Sequence, residues 1–546
     1  MKKITFSCIA AFLSLNAFAT DYYFSASGND SNNGKSVEKA LKSLSKVASM
    51  NLKAGDKVLL KKGDVFFGSI ELTSISGKKG KPILISSYGQ GAQKPIIDAK
   101  GKLNGILIED CSYIIVKDIE ITANGGGVEN YVPNKSYLRC AILLTTKNDG
   151  DYTDITIENL YIHDVYFEEK GFNRGQEEVL TGNGNQNYGW GVRVVNNRVK
   201  AMLNNISISK CLVENVSHSG IRFTGNHGLS TQDNKNIQNV KVFDNKVLRV
   251  GGPAMQASVV KNIEFANNET NYSGSFDDSR KWGRGSGLWV WGCLGALIEH
   301  NSFRNANGPG DSAGCHIDFN NKNVIIQYNV SENNVGGFIE ILGNNYNCTY
   351  RYNVSINDGS RRKVAKETLG AGTMIGMNGY VGDKKTPVGP FNTYLYNNTI
   401  YVKEGIDPEA GFSKSVSGVF IANNIFYLEG HATFDERKQF RPESGPIPNV
   451  VFKNNLYLKA DNWPDASKVM ITDNSPVYGD AQFANKGGLK KEDYVPKNSV
   501  LIKNKGIDIE LISGDTYGIK GGFKVSTDIL GNKVSGLPDM GAIEIK

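Results

Sequence analysis

The sequence predicts an all-β solenoid, a right-handed parallel β-helix of about eleven coils, from a recurring framed asparagine and from the short spacing between its copies. The repeated unit has an apolar residue, a gap, a second apolar residue, two more residues and then Asn. It reads VKVFDN to Asn245, IEFANN to Asn268, ALIEHN to Asn301 and VIIQYN to Asn329, then CTYRYN to Asn353, TYLYNN to Asn398, VFIANN to Asn424 and VVFKNN to Asn455. Upstream, the same frame carries Ile119, Leu160 and Cys211. Most of the shorter intervals are 23 to 33 residues. That range is typical of solenoid repeats and leaves no room for a crossover helix, so strands stacked coil upon coil fit best. Asn tolerates a tight bend between strands, and its amide can hydrogen-bond the Asn of the next coil.

The ends of such a stack need covers. Ala40, Leu41, Leu44, Val47 and Ala48 form an apolar helical stripe, expected to cap the first coil ahead of the strand Lys57-Val58-Leu59-Leu60. After about Ala484 the repeat is lost, and the remaining chain is expected to close or flank the other end. The division is then a signal segment 1–19, a cap with first strand 20–60, a β-helix 61–483 and a closing segment 484–546.

Lys2 and Lys3 precede an apolar run from Ile4 to Leu15, and Ala17-Phe18-Ala19 supplies the small residues a signal peptidase reads. The run is shorter than the ~20 residues needed to cross a bilayer. A secreted protein, periplasmic or extracellular, beginning near Thr20 is expected, with no membrane insertion. Without Lys2 and Lys3, the 62 basic residues become 60 against 55 acidic ones, a net charge of +5. That suits an acidic glycan and falls far short of the basic stripe of a nucleic-acid binder. A monomer is expected. Cys111, Cys140, Cys211, Cys293, Cys315 and Cys348 contain no CxxC pair, which argues against zinc ribbons and thioredoxin-like chemistry. Disulfides and buried free thiols both remain open.

The opening YYFSASGNDSNNG, the segment LKAGDKVLLKKGDVFFGSI with KPILISSYG, and the closing LPDMGAIE resemble those of secreted bacterial β-helix enzymes of the pectate-lyase-like superfamily. The resemblance covers nearly the whole mature chain and implies polysaccharide processing without specifying the reaction. The NTD, GHG and RIK motifs of polygalacturonases are not found, and the catalytic Lys and Arg of chondroitinase B and alginate lyases have no match.

In each coil a further strand precedes the repeated unit: GVRVVN, GIRFTG, GPAMQA, GLWVWG, GCHIDF and GFIEIL. Alternation puts Val192, Ile221, Met255, Val290, Ile317 and Ile339 inward. Two outward columns follow, one of Arg193, Arg222, Ala254, Trp289, His316 and Phe338, the other of Val195, Thr224, Gln256, Trp291, Asp318 and Glu340. Aromatic faces stack on sugar rings, and paired carboxylates bind a cation or trade protons. Trp289, Trp291, Arg193, Gln256, Arg284 and Arg361 are therefore candidate substrate contacts. Asp318, Glu340, His316, Arg222 and His218 are candidate catalytic groups. The longer intervals, carrying Tyr166 to Lys170, Arg174, Arg361 to Lys363 and Lys366, are expected to wall the groove, and FDDSRKWGRGSG brings Asp277, Asp278, Lys281, Trp282 and Arg284 toward it.

Four functions remain open. A polysaccharide lyase would β-eliminate a uronate polymer, with Asp318, Glu340 and Asp311 holding Ca²⁺, Arg222 or His218 as base and His316 as acid. A glycoside hydrolase would use Asp318 with Glu340 at the short retaining separation, or Asp311 with Glu340 at the wider inverting one. A non-catalytic glycan-binding module needs only the tryptophans; an epimerase would share the lyase's proton abstraction.

Overall fold

The computed structural model describes residues 19–364, 367–434, 450–463 and 473–546. The expected export signal lies, except for Ala19, outside them. Three all-parallel sheets of 14, 14 and 12 strands wrap a continuous apolar interior. One coil runs from a first-sheet strand such as Ile237–Phe243 to a second-sheet strand, Lys246–Leu248, and then to a third-sheet strand, Met255–Ser258. The next coil repeats this as Lys261–Ala266, Glu269–Asn271 and Leu288–Trp291. The winding has the right hand that parallel crossovers take.

The framed asparagines form a ladder between the first and second sheets. Asn329 is fully buried, and its side-chain oxygen accepts from the backbone and side-chain N–H groups of Asn301, both at 2.9 Å. Its own amide donates to Ile298 O, Gln327 O and Asn353 Oδ1 at 2.8 to 3.0 Å. The same rung recurs from Asn245 to Asn455 and ends on Asp473. The bend itself is taken one residue earlier than expected: Asp244, Asn267, His300 and Tyr328 are left-handed, with φ of 55° to 57°. Upstream the frame continues, since the Cys211 N–H donates to Asn245 Oδ1.

Inside, Val192, Ile221, Met255, Leu288 and Cys315 pair in one inward row, and Val194, Phe223, Ala257, Val290 and Ile317 in the next. Each fully buried aliphatic side chain here contributes about 1.5–3 kcal/mol by leaving water. All six residues expected to point inward do so, but Val290 and Ile317 lie two positions along from Met255. Period-two alternation cannot detect a two-residue slip, because it leaves every side chain on its own face. Ala254 and Phe338, expected outward, belong to the core; left-handed Gly337 (φ 121°) precedes Phe338, which packs edge-on against Tyr350.

The cap is smaller than the stripe suggested. Asp30 accepts the N–H groups of Lys42 and Ser43, and Leu41 bridges Phe24, so the helix is confined to Lys46–Ser49. Ala40, Leu41, Leu44 and Val47 are buried, while Ala48 is exposed. The C-terminal segment flanks the stack: Ile519, Ile529, Met540 and Ile543 pack on the outer tyrosines Tyr328, Tyr352, Tyr394 and Tyr396. All six described cysteines are buried and free. Among the described residues, no helix is long and apolar enough to cross a membrane.

Candidate active site

The outward face of the third sheet carries the residues singled out from sequence, in a shifted register. One column runs Arg193, Arg222, Gln256, Trp289 and His316. Because Ile317 pairs with Ile341, Glu340 continues this column beside His316, and Asp318 lies beside Leu342. Asp318 and Glu340 are therefore diagonal neighbours, not opposite ones. The second column runs Thr224, Ser258 and Trp291. Trp289 stacks parallel on His316 (centroids 5.7 Å apart, planes 8° apart), while Phe319 sits edge-on to both Trp291 and Tyr380. Trp289, Trp291 and Phe319 are half-buried and Tyr380 is exposed. Together they form an aromatic lining beside an acidic floor.

Asp318 is positioned from behind. The side-chain amides of Asn321 and Asn345 both donate to its carbonyl oxygen, at 2.6 and 2.7 Å. These two asparagines form a short second ladder at the exit of the third sheet. The carboxylate accepts one hydrogen bond, from the Phe319 N–H at 2.9 Å. Enclosure by protein raises its pKa to about 8, and the charges of Asp311 and Glu340 add to the rise. Solvent still touches it, so the group is recessed without being sealed.

Asp311 has the opposite environment. Burial alone would raise its pKa, but Arg284 grips both carboxylate oxygens, at 3.1 and 3.2 Å, and holds it below the ordinary value, aided by His316 and Arg361. Asp311 and Ser312 are consecutive left-handed residues, with φ of 49° and 60°, in the turn GPGDSAG. Such backbone strain persists only where its surroundings enforce it, and it concentrates at functional sites. Here the Ser312 hydroxyl bonds the Gly308 and Gly310 carbonyls, and Arg361 donates to Asp311 O at 2.9 Å. A Cβ on Gly336 would meet that same oxygen at 1.9 Å.

Several expected roles change. Arg284 and Arg361 hold Asp311 and its turn; Arg284 also donates to Thr181 O and Arg361 to Gly370 O. His218 is fully buried between Trp190 and Trp282, at centroid distances of 3.7 and 4.5 Å, with Nε2 facing Asn183 O. Burial, with Arg222 nearby, keeps it well below its ordinary pKa, and it has no route to a substrate proton. Gln256 is likewise fully buried, its amide donating to Ser258 Oγ, which removes it from substrate contact. Among the described residues Arg222 makes no hydrogen bond; it lies over Trp190, and burial with Arg193 beside it lowers its pKa well below the ordinary value. In FDDSRKWGRGSG, Asp277 pairs with Lys281 and Asp278 with Arg280, while Trp282 is buried. Arg174 is buried over Tyr188. These residues brace the wall and do not face the groove. Lys366 lies outside the described residues.

His316 stands at the site, its Nδ1 3.1 Å from the Ser286 hydroxyl. Among the described residues no group of three or more His, Cys, Asp and Glu is arranged to hold a metal, and Arg284 occupies Asp311. Of the three carboxylates expected to share Ca²⁺, Asp311 is thus paired with an arginine. Sequence reasoning missed Ser286, Phe319, Tyr380, Asn321 and Asn345. Only the last two left a signal, the asparagines of FNNKN and GNNYN standing 24 residues apart in one frame. A separate cavity of about 510 Å³, lined by Glu71, Lys102 and Glu129, opens six strands away along the same sheet; there Lys102 neutralises Glu129 at 2.6 Å.

No family model matches the chain. A curated lacto-N-biosidase of Bifidobacterium longum subsp. longum is 26% identical over 620 aligned positions, which cover 96% of this chain and 36% of the relative. The chain thus spans about a third of that protein's length. Among solved structures, the GH136 lacto-N-biosidase of Eubacterium ramulus is 21% identical with a TM-score of 0.54, covering 84% of this chain and 68% of that one. The structure of XylC in complex with xylose is 12% identical with a TM-score of 0.51, covering 96% and 98%. These structural likenesses show the shared fold.

Proposed function

We propose that the chain degrades glycans as a glycoside hydrolase, with Asp318 as general acid and Asp311 as the ionised partner. The observation that carries this reading is the opposite tuning of two carboxylates in one recess, one raised to about 8 and the other held low by Arg284. Such divergence separates acid from base or nucleophile at neutral pH. Asp318 gives its proton to the glycosidic oxygen as the bond to the anomeric carbon breaks. Asp311 stabilises the positive charge at that carbon, either attacking it directly or taking a proton from the attacking water. Water supplies hydroxyl to the sugar: where Asp311 has attacked, the water's remaining proton goes to Asp318 as the bond to Asp311 breaks; where water attacks directly, that proton goes to Asp311 and exchange with solvent reprotonates Asp318. Trp289 and Trp291 offer ring faces to the sugars, and burial, with like-charge repulsion from Asp311 and Glu340 added, keeps Asp318 protonated.

The likeness to lacto-N-biosidases supports hydrolysis over the elimination reading, whose proposed bases were His218 and Arg222. His218 is sealed between two tryptophans; burial, with Arg193 beside it, lowers the Arg222 pKa well below its ordinary value, yet a guanidinium still keeps its proton near neutral pH. Export of the protein and an acidic substrate belong to the same proposal.

The test uses a panel of neutral and acidic glycans, with Asp318→Asn and Asp311→Asn alongside the native protein. Cleavage falls by about 10²–10⁴-fold in the Asp318 variant, the range attributed to a positioned proton donor. A chelator leaves the native rate unchanged. Native-level cleavage in both variants, or loss of activity on chelation, refutes this assignment.

A further inference from the structure

The column that ends in Glu340 begins in two arginines the reaction does not use. Arg193 and Arg222 pair directly on adjacent strands, at 7% and 9% exposure. Among the described residues neither makes an ion pair. Arg193 donates once, to Thr224 Oγ1 at 2.7 Å, and Arg222 makes no hydrogen bond; both Nε atoms are buried without a partner. Only Nε of Arg222 is sealed, and the side chain keeps a little exposure. Both guanidinium groups lie over Trp190, at 4.8 and 5.3 Å. Cation–π contact of this kind contributes about 2 kcal/mol when desolvated, whereas burying each ion costs several kcal/mol, before the repulsion between them. The folded protein alone does not offset that cost.

The place of the pair suggests what does. Arg222 lies two strand spacings from Trp289, on the order of 10 Å, with buried Gln256 between them. His227, exposed and edge-on to Trp291 at 4.8 Å, feels the charges of both arginines and so stands at the same opening. Beyond Arg193 and Arg222 stands the Trp190–His218–Trp282 stack, tied to the 176–187 loop by the bond from Trp282 Nε1 to Glu178 O.

We propose that Arg193 and Arg222 form a subsite for an anionic substituent, a carboxylate or a sulfate, on a sugar bound at that end of the groove. Guanidinium groups match such anions in geometry and charge. The inference rests on the hydrolase reading only for its orientation: the anionic sugar sits on the far side of Trp289 from Asp318.

Binding can be read without turnover, so its failure is distinct from failure of the catalytic assignment. The probes are glucuronate, glucose 6-sulfate and glucose, titrated calorimetrically into the Asp318→Asn protein. One anionic sugar binds at least tenfold tighter than glucose, and which one does so identifies the group. Arg222→Gln or Arg193→Gln in that background abolishes the preference, Arg222→Lys restores part of it, and both Gln variants melt no lower than their parent because a buried like-charge contact has gone. Equal binding of glucose and the anions, no binding of any probe, or an undiminished preference in both Gln variants overturns the proposal.

Discussion

Replacing Arg284 by Gln separates two roles for this side chain that sequence alone leaves tangled. In the structure Arg284 faces Asp311 with two charge-assisted hydrogen bonds, at 3.1 and 3.2 Å. Bonds to charged groups contribute about 1.5–3 kcal/mol, which corresponds to about 1–2 pH units at 1.36 kcal/mol per unit. Asp311 keeps 32% side-chain exposure, so water compensates in part and the effect falls at the lower end of that contribution. Removing a neighbouring cation raises every carboxylate it faces, and Arg284 also lowers Asp318. Both limbs of the kcat/KM profile therefore move upward: the acidic limb, set by ionisation of Asp311, and the basic limb, set near pH 8 by loss of the Asp318 proton. The assay is kcat/KM against pH on the best glycan of the panel. A raised KM with an unmoved profile would mean that Arg284 binds substrate, and the reasoning would be wrong.

Two further outcomes concern the scaffold. Asn329→Ala strands the Asn301 N–H and the Ile298 and Gln327 carbonyls without water, and is expected to lower unfolding stability by roughly 3–5 kcal/mol by denaturant midpoint; a loss below about 1 kcal/mol would mean the ladder carries little. Asp358 ends a third ladder, accepting from Asn334 and Ser355 with no cation partner among the described residues, and burial raises its pKa to about 7. A raised carboxyl stabilises the fold while protonated, and that contribution falls as pH climbs from about 4 through 7. Asp358→Asn should melt higher than native at pH 8 and alike near pH 4, with a flatter dependence between; the same deficit at both pH values would contradict this.

The architecture was legible because its determinants are local and repeated. An Asn in frame, with apolar residues three and five places before it, encodes the inner rows and the ladder in each coil independently. The coil-to-coil register was not legible where strands begin with Gly: Met255 pairs with Leu288 instead of Val290, and this moves Gln256 and Glu340 between columns. The site was half legible. Asp311, Asp318, His316, Trp289 and Trp291 stand together as expected, since neighbouring coils must neighbour in space. The fates of Arg284, Arg361 and His218 depend on long intervals folding over the sheet, and nothing periodic records that. Asp311 draws its distinction from two consecutive left-handed residues and an arginine 27 positions earlier, neither of which has a spacing to read.

Product chemistry in heavy-oxygen water separates hydrolysis by Asp318 and Asp311 from elimination. The account predicts that each cut places one heavy oxygen on the new reducing end, that no unsaturated sugar forms, and that Asp318→Asn suppresses this incorporation while leaving the fold intact. Unsaturated ends without incorporated oxygen would establish elimination and contradict the account.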